Sequence, residues 1–335
     1  MKTPTLAAIV LSSIALAQDT ERTLRFAHTS NNQNMQEIAT VMRAITEVPG
    51  VSTNVAARTI SLTGTALQIQ AAEWVFQELD RPLTSAPPAS PRVYRMEDAK
   101  GEGIVRVFHV ANAETPQQLQ ELATCIRATT EVRRLFTYNA PRAIVLRGTE
   151  EQVAVTEWLL QQLDRPTVTP GSSIARERPM TDRYGEGHLR VFFLANAASP
   201  QSHQELATCV RAITDTRRLF TNTKHVAIVT RGTAGQMQAV EWLIREMDRP
   251  PAKSPAAHAP SKEFLMQEDP KEGVVRVFYT RNTLSLDSML ALATDVRKQT
   301  SVRRIFTYGG PRAIAVRGTA NQITRAAEII SASKP

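Results

Sequence analysis

One stretch of this chain, Gly103 to Pro166, is written four times within 335 residues. Whatever that stretch folds into is therefore built four times, and no single large core is expected. It opens with an alternating run, Ile104-Val105-Arg106-Val107-Phe108-His109-Val110, and passes through Leu122-Ala123-Thr124-Cys125-Ile126-Arg127. It then reads Arg133-Arg134-Leu135-Phe136-Thr137-Tyr138 and Ala143-Ile144-Val145-Leu146-Arg147-Gly148-Thr149, and closes on Leu163-Asp164-Arg165-Pro166. Arg106 recurs as Arg190 and Arg276, and more loosely as Arg25. The Gly-Thr pair returns at Gly64-Thr65, Gly232-Thr233 and Gly318-Thr319, and the closing motif at Leu79–Pro82 and Met247–Pro250. Trp74, Trp158 and Trp242 fall at one repeat position, which Ile329 fills in the last copy.

Within one copy the elements follow from periodicity. Residues 104–109 alternate as a strand does. Thr115-Pro116 is a helix start, and Leu119, Leu122, Ile126 and Thr129 recur at spacings of three and four, the mark of an amphipathic helix. Two β-prone runs follow, turned by Asn139-Ala140-Pro141. Thr149 is placed to cap the last helix with Gln152 three residues on, and Pro166 ends it. The order is β-α-β-β-α: an α+β fold with two helices on one face of a three-stranded sheet. Repeat domains are expected at 23–82, 103–166, 187–250 and 273–335, with linkers at 83–102, 167–186 and 251–272 rich in Pro, Ser, Ala and Thr. Met96, Met180 and Met266 each precede the opening glycine by seven residues, which hints at a short added strand.

Strand side chains alternate between faces. Val105, Val107, Ile144 and Leu146, with Leu24, Phe26, Ile60 and Leu62 in copy one, are taken as core-facing, because their counterparts stay mostly apolar. Arg106, Phe108, Val145 and Arg147 then share the uncovered face. Copy one differs. Its first connection reads three residues shorter, Pro49-Gly50 replaces the Arg-Arg pair, and Thr63 stands where the others have Arg147, Arg231 and Arg317.

Composition narrows the setting. A net charge of +8 favours acidic partners without naming one. Met1-Lys2, the apolar run Leu6 to Leu16 and Ala15-Leu16-Ala17 read as a secretory signal peptide over 1–17, placing the mature chain in the periplasm or cell envelope. No later stretch approaches ~18 consecutive apolar residues, so no transmembrane segment is expected after cleavage.

The run Arg142 to Gln152, continued to Leu163-Asp164-Arg165-Pro166, resembles the short periplasmic N-terminal domain of secretins, the outer-membrane channels of type II and type III secretion and of type IV pili. The resemblance extends over all four repeats and implies KH-like β-α-β-β-α modules of the kind that stack into periplasmic rings. No channel domain follows the fourth repeat in this sequence. Where that family usually has an Asn before the second apolar strand, this chain has Pro141-Arg142, His225-Val226 and Pro311-Arg312.

The remaining residues offer little chemistry. The six histidines, His28, His109, His188, His203, His225 and His258, have no partner at ligand spacing, and only His28 and His109 share a repeat position; strand-surface roles are expected and no metal or other cofactor. Cys125 and Cys209 occupy one repeat position, filled by Asp295 in the last copy, which suggests partial exposure. They could form a bond between repeats two and three, stay as free thiols, or bond to another molecule. Glu73, Glu157, Glu241 and Glu328, and Asp80, Asp164 and Asp248, read as solvated charges on the final helix. The tryptophans sit at a core-like phase. Gly232-Thr233-Ala234-Gly235 matches the KH clamp by letters but has no counterpart in the other copies.

The candidate interaction face is the arginine and phenylalanine set: Arg106, Phe108, Arg147, Arg190, Phe192, Arg231, Arg276, Phe278 and Arg317. Arginine with aromatic residues suits an interface with an acidic partner or a neighbouring subunit; the bland alternative is a solvated face. The expectation is a non-catalytic scaffold or accessory protein acting in secretion or pilus-type machinery through protein contacts, with self-association among them. The alternative is an extracytoplasmic repeat protein that binds a ligand or nucleic acid through a basic sheet face.

Overall fold

The computed structural model describes residues 20–82, 92–97, 101–166, 174–181, 185–197, 199–250, 261–280 and 285–333. The signal-peptide reading, most linker residues, His258 and Lys334-Pro335 lie outside them. Among the described residues no helix is long and apolar enough to cross a membrane.

The fold is α+β, and the β-α-β-β-α order appears four times. The chain divides into two compact units, Met1–Glu97 and Asp98–Pro335. The first holds β1 (Thr20–Arg25), α1 (Asn32–Thr46), β2 (Gly50–Asn54), β3 (Thr59–Gly64), α2 (Ala66–Leu79) and the short β4 (Val93–Arg95), with β3 between β1 and β2. The second holds three modules. Module two is β5 (Ile104–His109), α3 (Pro116–Thr130), β6 (Arg134–Tyr138), β7 (Ala143–Gly148) and α4 (Glu150–Leu163). Module three is β8 (Ile174–Pro179), β9 (His188–Phe193), α5 (Pro200–Thr214), β10 (Arg218–Asn222), β11 (Ala227–Gly232) and α6 (Ala234–Met247). Module four is β12 (Lys262–Leu265), β13 (Val274–Tyr279), α7 (Leu286–Thr300), β14 (Arg304–Tyr308), β15 (Ala313–Gly318) and α8 (Ala320–Ala332).

Modules three and four have four-stranded antiparallel sheets, β10-β11-β9-β8 and β12-β13-β15-β14. The fourth strand comes from the segment read as linker. Its end is fixed by the Met180 N–H donating to Gly187 at 2.8 Å and the Met266 N–H donating to Gly273 at 2.8 Å.

Local chemistry explains the junctions. Thr65, Thr149, Thr233 and Thr319 cap the last helices, each in a reciprocal box with the Gln three residues later, worth about 1 kcal/mol apiece. The glycine before the cap is needed for closeness: a Cβ at Gly148 would lie 2.5 Å from the capping Gln152 Oε1. The first helices end on left-handed residues, Glu47, Glu131, Asp215 and Ser301, at φ 55–58°.

Strand register corrects the assignment of faces. Arg147 stands opposite Val105 and Val145 opposite Val107, whereas Arg106 pairs with Leu146 and Phe108 with Ile144. So Arg106 and Phe108 face the module's own helices with Ile144 and Leu146, and Val105 and Val107 lie on the other face with Val145 and Arg147. The reason is visible in modules two to four of the second unit. One hydrophobic cluster joins Leu119, Leu122, Ile126 and Leu159 of module two to Leu189, Val191, Ala227 and Val229 of module three. A second joins Leu206, Val210 and Leu243 of module three to Val275, Val277, Ala313 and Ala315 of module four. The helix layers of modules two and three each pack on the next module's sheet, so the sheets of modules three and four are buried on both faces and both phases read apolar.

Copy one is also re-registered. β1, α1 and β3 each lie 84 residues before β5, α3 and β7, so the first connection is not shorter. Arg22, opposite Leu62, is the counterpart of Arg106, and Arg25 is the counterpart of His109. His28 therefore shares its position with Asn112, not with His109. In module four, α8 starts 86 residues after α6, so Glu328 takes the tryptophan position rather than Ile329.

Candidate functional site

The arginine columns occupy two different places. Arg147, Arg231 and Arg317 sit on the far face of their sheets, each at most 5% exposed. In module three the Arg231 Nη1 donates to the Thr129 carbonyl at 2.7 Å and its Nε to the Glu186 carbonyl at 2.9 Å. In module four the Arg317 Nη1 donates to the Ile213 carbonyl at 2.8 Å and its Nε to Glu272 at 3.0 Å. Thr129 and Ile213 lie at the last turn of α3 and α5, where carbonyls have no helical partner and the helix dipole is negative. A sheet arginine thus caps the preceding module's first helix. The Arg317 Nη2 also donates to Asp269 at 2.6 Å, and its Nη1 lies 3.2 Å from Asp215. Backbone hydrogen bonding from Glu272, helped by Arg317, holds the Asp269 carboxyl below its usual range.

A second arginine flanks each clamp. Arg304 bridges Asp215 at 2.7 Å and Glu272 at 2.7 Å. Arg218 pairs with Glu131 and Glu186 in the same way. Glu131 and Asp215 are the left-handed residues that end α3 and α5. The contact is extended at its far side by the Thr223 N–H and hydroxyl, both 3.1 Å from Glu121, and by the Tyr279 hydroxyl, which donates to Glu246 Oε2 at 2.7 Å.

The other column lies inside each module. Arg106 grips Glu157 of α4 through two bonds of 2.8 and 3.0 Å, its guanidinium 4.4 Å above the Phe108 ring. That hydrogen bond holds the Glu157 carboxyl below its ordinary value. Arg190 meets Glu241 at 2.7 Å and Glu177 at 3.0 Å. Arg276 reaches Ser261 at 2.8 Å and Glu263 at 3.8 Å and lies 5.2 Å above the Phe278 ring, but meets no helix glutamate, because α8 carries Ala327 where α4 and α6 have one. Glu328 pairs instead with Arg325 at 2.7 Å. Phe108, Phe192 and Phe278 are buried. The nine residues of the expected face do not form one open surface: the arginines are divided between the two faces of their sheets, and the phenylalanines are buried.

Sequence reasoning took the closing aspartates for solvated charges. Asp80 and Asp248 are buried. Each carboxylate accepts backbone N–H groups of the loop after the first strand: Ala27 and Thr29 for Asp80, Ala111 and Asn112 for Asp164, Ala195 and Asn196 for Asp248, at 2.6–2.8 Å, with His28 a third for Asp80 at 3.2 Å. The signal was the fixed distance from that loop, not the residue type. Trp74 and Trp242 stack against aromatic residues, Tyr94 at 5.8 Å and Phe264 at 5.4 Å.

Cys125 and Cys209 are free and 1% exposed, so no bond joins them. The Cys125 thiol points to the Thr221 carbonyl at 3.8 Å and the Cys209 thiol to the Met247 sulfur at 3.6 Å. Modules that stack in one orientation keep equivalent residues apart; Asp295 is exposed because α7 supports no further sheet among the described residues. Burial pushes both thiols up to about 12. A thiol reagent at pH 8 is expected to modify neither in the native chain and both after denaturation, as counted by absorbance, with migration unchanged by reductant.

The histidines also take structural roles. His203 is buried with its Nε2 3.1 Å from the Ala227 carbonyl, and His225 lies edge-on to Phe193 at 6.5 Å. His188 meets Glu177 at 2.9 Å. Among the described residues no group of three His, Cys, Asp or Glu could hold a metal ion. At Gly232–Gly235 the amide of Gly235 donates to Glu268 at 3.0 Å and the Thr233 hydroxyl to the same carboxylate at 2.5 Å. A carboxylate of this chain occupies the place a phosphate would need.

No family model matches the chain, and no curated protein matches it. Among solved structures it is similar to the N-terminal domain of the secretin XcpQ from Pseudomonas aeruginosa, at 13% identity over 44% of this chain and 62% of that one, with a TM-score of 0.19. It is similar to Aeromonas hydrophila ExeD, at 11% identity over 90% and 59%, TM-score 0.17. A pilotin–secretin complex, AspS–GspD of ETEC, matches at 10% identity over 94% and 55%, TM-score 0.16. The chain spans about three fifths of the length of the first of these. At TM-scores this low none of them bears on function.

Proposed function

We propose that this chain is a non-catalytic scaffold of the cell envelope that joins secretion or pilus-type machinery through protein contacts. The carrying observation is that one contact is built twice in the second unit, helix layer on sheet, with a buried arginine capping the helix beneath. Repeating polar groups are spent on holding modules in a fixed register, as in a column that multiplies contact surface. The secretion assignment is supported by the secretin-like run from Arg142 to Pro166, and the envelope location by the signal-like first 17 residues. A basic sheet face for nucleic acid is supported less, because the arginines of that face in modules three and four are buried.

The test is recovery of the tagged, cross-linked chain from an envelope extract, with its oligomeric state measured by light scattering. A secretin, pilotin or pilus component in the recovered complex is the expected result. A ring or higher oligomer would favour ring-type assembly, and a monomer a column that docks. Recovery of nucleic acid, or of the chain alone, would overturn the proposal.

A further inference from the structure

In modules three and four the opening strand has a neighbour on each side: β9 lies between β11 and β8, and β13 between β15 and β12. β1, their counterpart, pairs with β3 alone among the described residues, and five of its six residues are exposed. Such an edge presents a row of N–H and C=O groups ready for another strand.

The added strands show what this edge accepts. Both run antiparallel to the opening strand, and each puts a glutamate opposite the same arginine: Glu177 across from Arg190, Glu263 across from Arg276. Arg190 donates to Glu177 at 3.0 Å, and Arg276 lies 3.8 Å from Glu263. The equivalent residue on β1 is Arg22. It meets Glu73 through Nε at 2.7 Å, and its side chain is 61% exposed. A guanidinium has five donors, so most of this one's capacity is unspent toward the edge.

We propose that β1 is a strand-addition site for an extended segment of a partner protein, run antiparallel, with an acidic side chain opposite Arg22. Backbone pairing supplies the affinity and the Arg22 pair sets the register. The inference goes beyond the scaffold reading and depends on the sheet edge alone.

A hexapeptide reproducing residues 261–266, Ser-Lys-Glu-Phe-Leu-Met, is a probe of the right chemistry. It would be titrated to millimolar concentration into the full mature chain while amide exchange is followed by NMR. Every second amide of Thr20–Arg25 is expected to gain protection. Arg22→Glu in the protein, or Glu to Lys in the peptide, should each weaken binding about tenfold, and the two together should restore it. The peptide change tests the pairing without touching the protein's fold. The proposal is overturned if the β1 amides that point away from β3 are already protected in the free chain, which would mean that its own preceding residues or a second copy fills the edge. It is equally overturned if they stay unprotected at saturation, or if charge reversal leaves binding unchanged.

Discussion

Arg317→Ala is expected to cost the second unit about 2–3 kcal/mol, the range for leaving buried hydrogen-bond acceptors without a partner. For a unit of this size that lowers the unfolding midpoint by about 7 °C. The side chain serves four acceptors: the Ile213 and Glu272 carbonyls, Asp215 and Asp269. Arg304 still reaches Asp215, and Asp269 keeps the amides of Lys271 and Glu272, so the acceptors that lose the guanidinium outright are the carbonyls of Ile213, at the end of α5, and of Glu272. Arg317→Lys should recover only part of the loss, since an ammonium has no planar fork to span these positions. Arg276→Ala, which loses Ser261, a distant Glu263 and a 5.2 Å contact with the Phe278 ring, should cost about 1 kcal/mol. Denaturant unfolding measures all three, and amide exchange should locate the loosening at α5 and β15. Equal costs for Arg317→Ala and Arg276→Ala would refute the clamp.

Much of this was legible in the sequence, and the errors share one cause. The element order, the Thr149–Gln152 cap and the helix phases follow from local chemistry that neighbours do not alter. The strand faces do not. Period-two alternation fixes which residues share a face, but not which face meets the helices; that choice normally rests on one face being polar. Here Leu189, Val229, Phe192 and Ile228 are all apolar because the module-three sheet meets the helices of module two on one face and its own helices on the other, so the arginines were the only polar guide. They misled, since Arg106 reaches across its own core edge to Glu157. Asp164 misled for a similar reason. A carboxylate at a helix end looks solvated until the loop that wraps it, more than fifty residues earlier, is placed beside it. The added strands were only hinted at by Met180 and Met266, because an edge strand of four to six residues is too short to show a period.

The second unit is also expected to lose stability as pH falls from about 6.5 toward 5. His203 and His225 are buried, and desolvation lowers both below their ordinary value. A base whose folded pKa is depressed stays neutral in the native state while the unfolded chain takes up a proton. Its contribution is therefore fully present above about pH 6.5 and is lost as pH falls toward the folded value, by up to about 1.4 kcal/mol per pH unit for each histidine. The repeats supply the control. His203 stands where modules one, two and four carry Met35, Leu119 and Met289, all buried, so His203→Leu fits the site and should remove about half of the slope measured by denaturant unfolding between pH 7.5 and 5.5. An unchanged slope would mean that His203 is protonated in the folded state. The carboxylates do not confuse the reading. Glu157, Glu177, Glu246 and Asp269 are all held below their usual range, so the stability they confer disappears only below about pH 4.5, a window separate from that of the histidines.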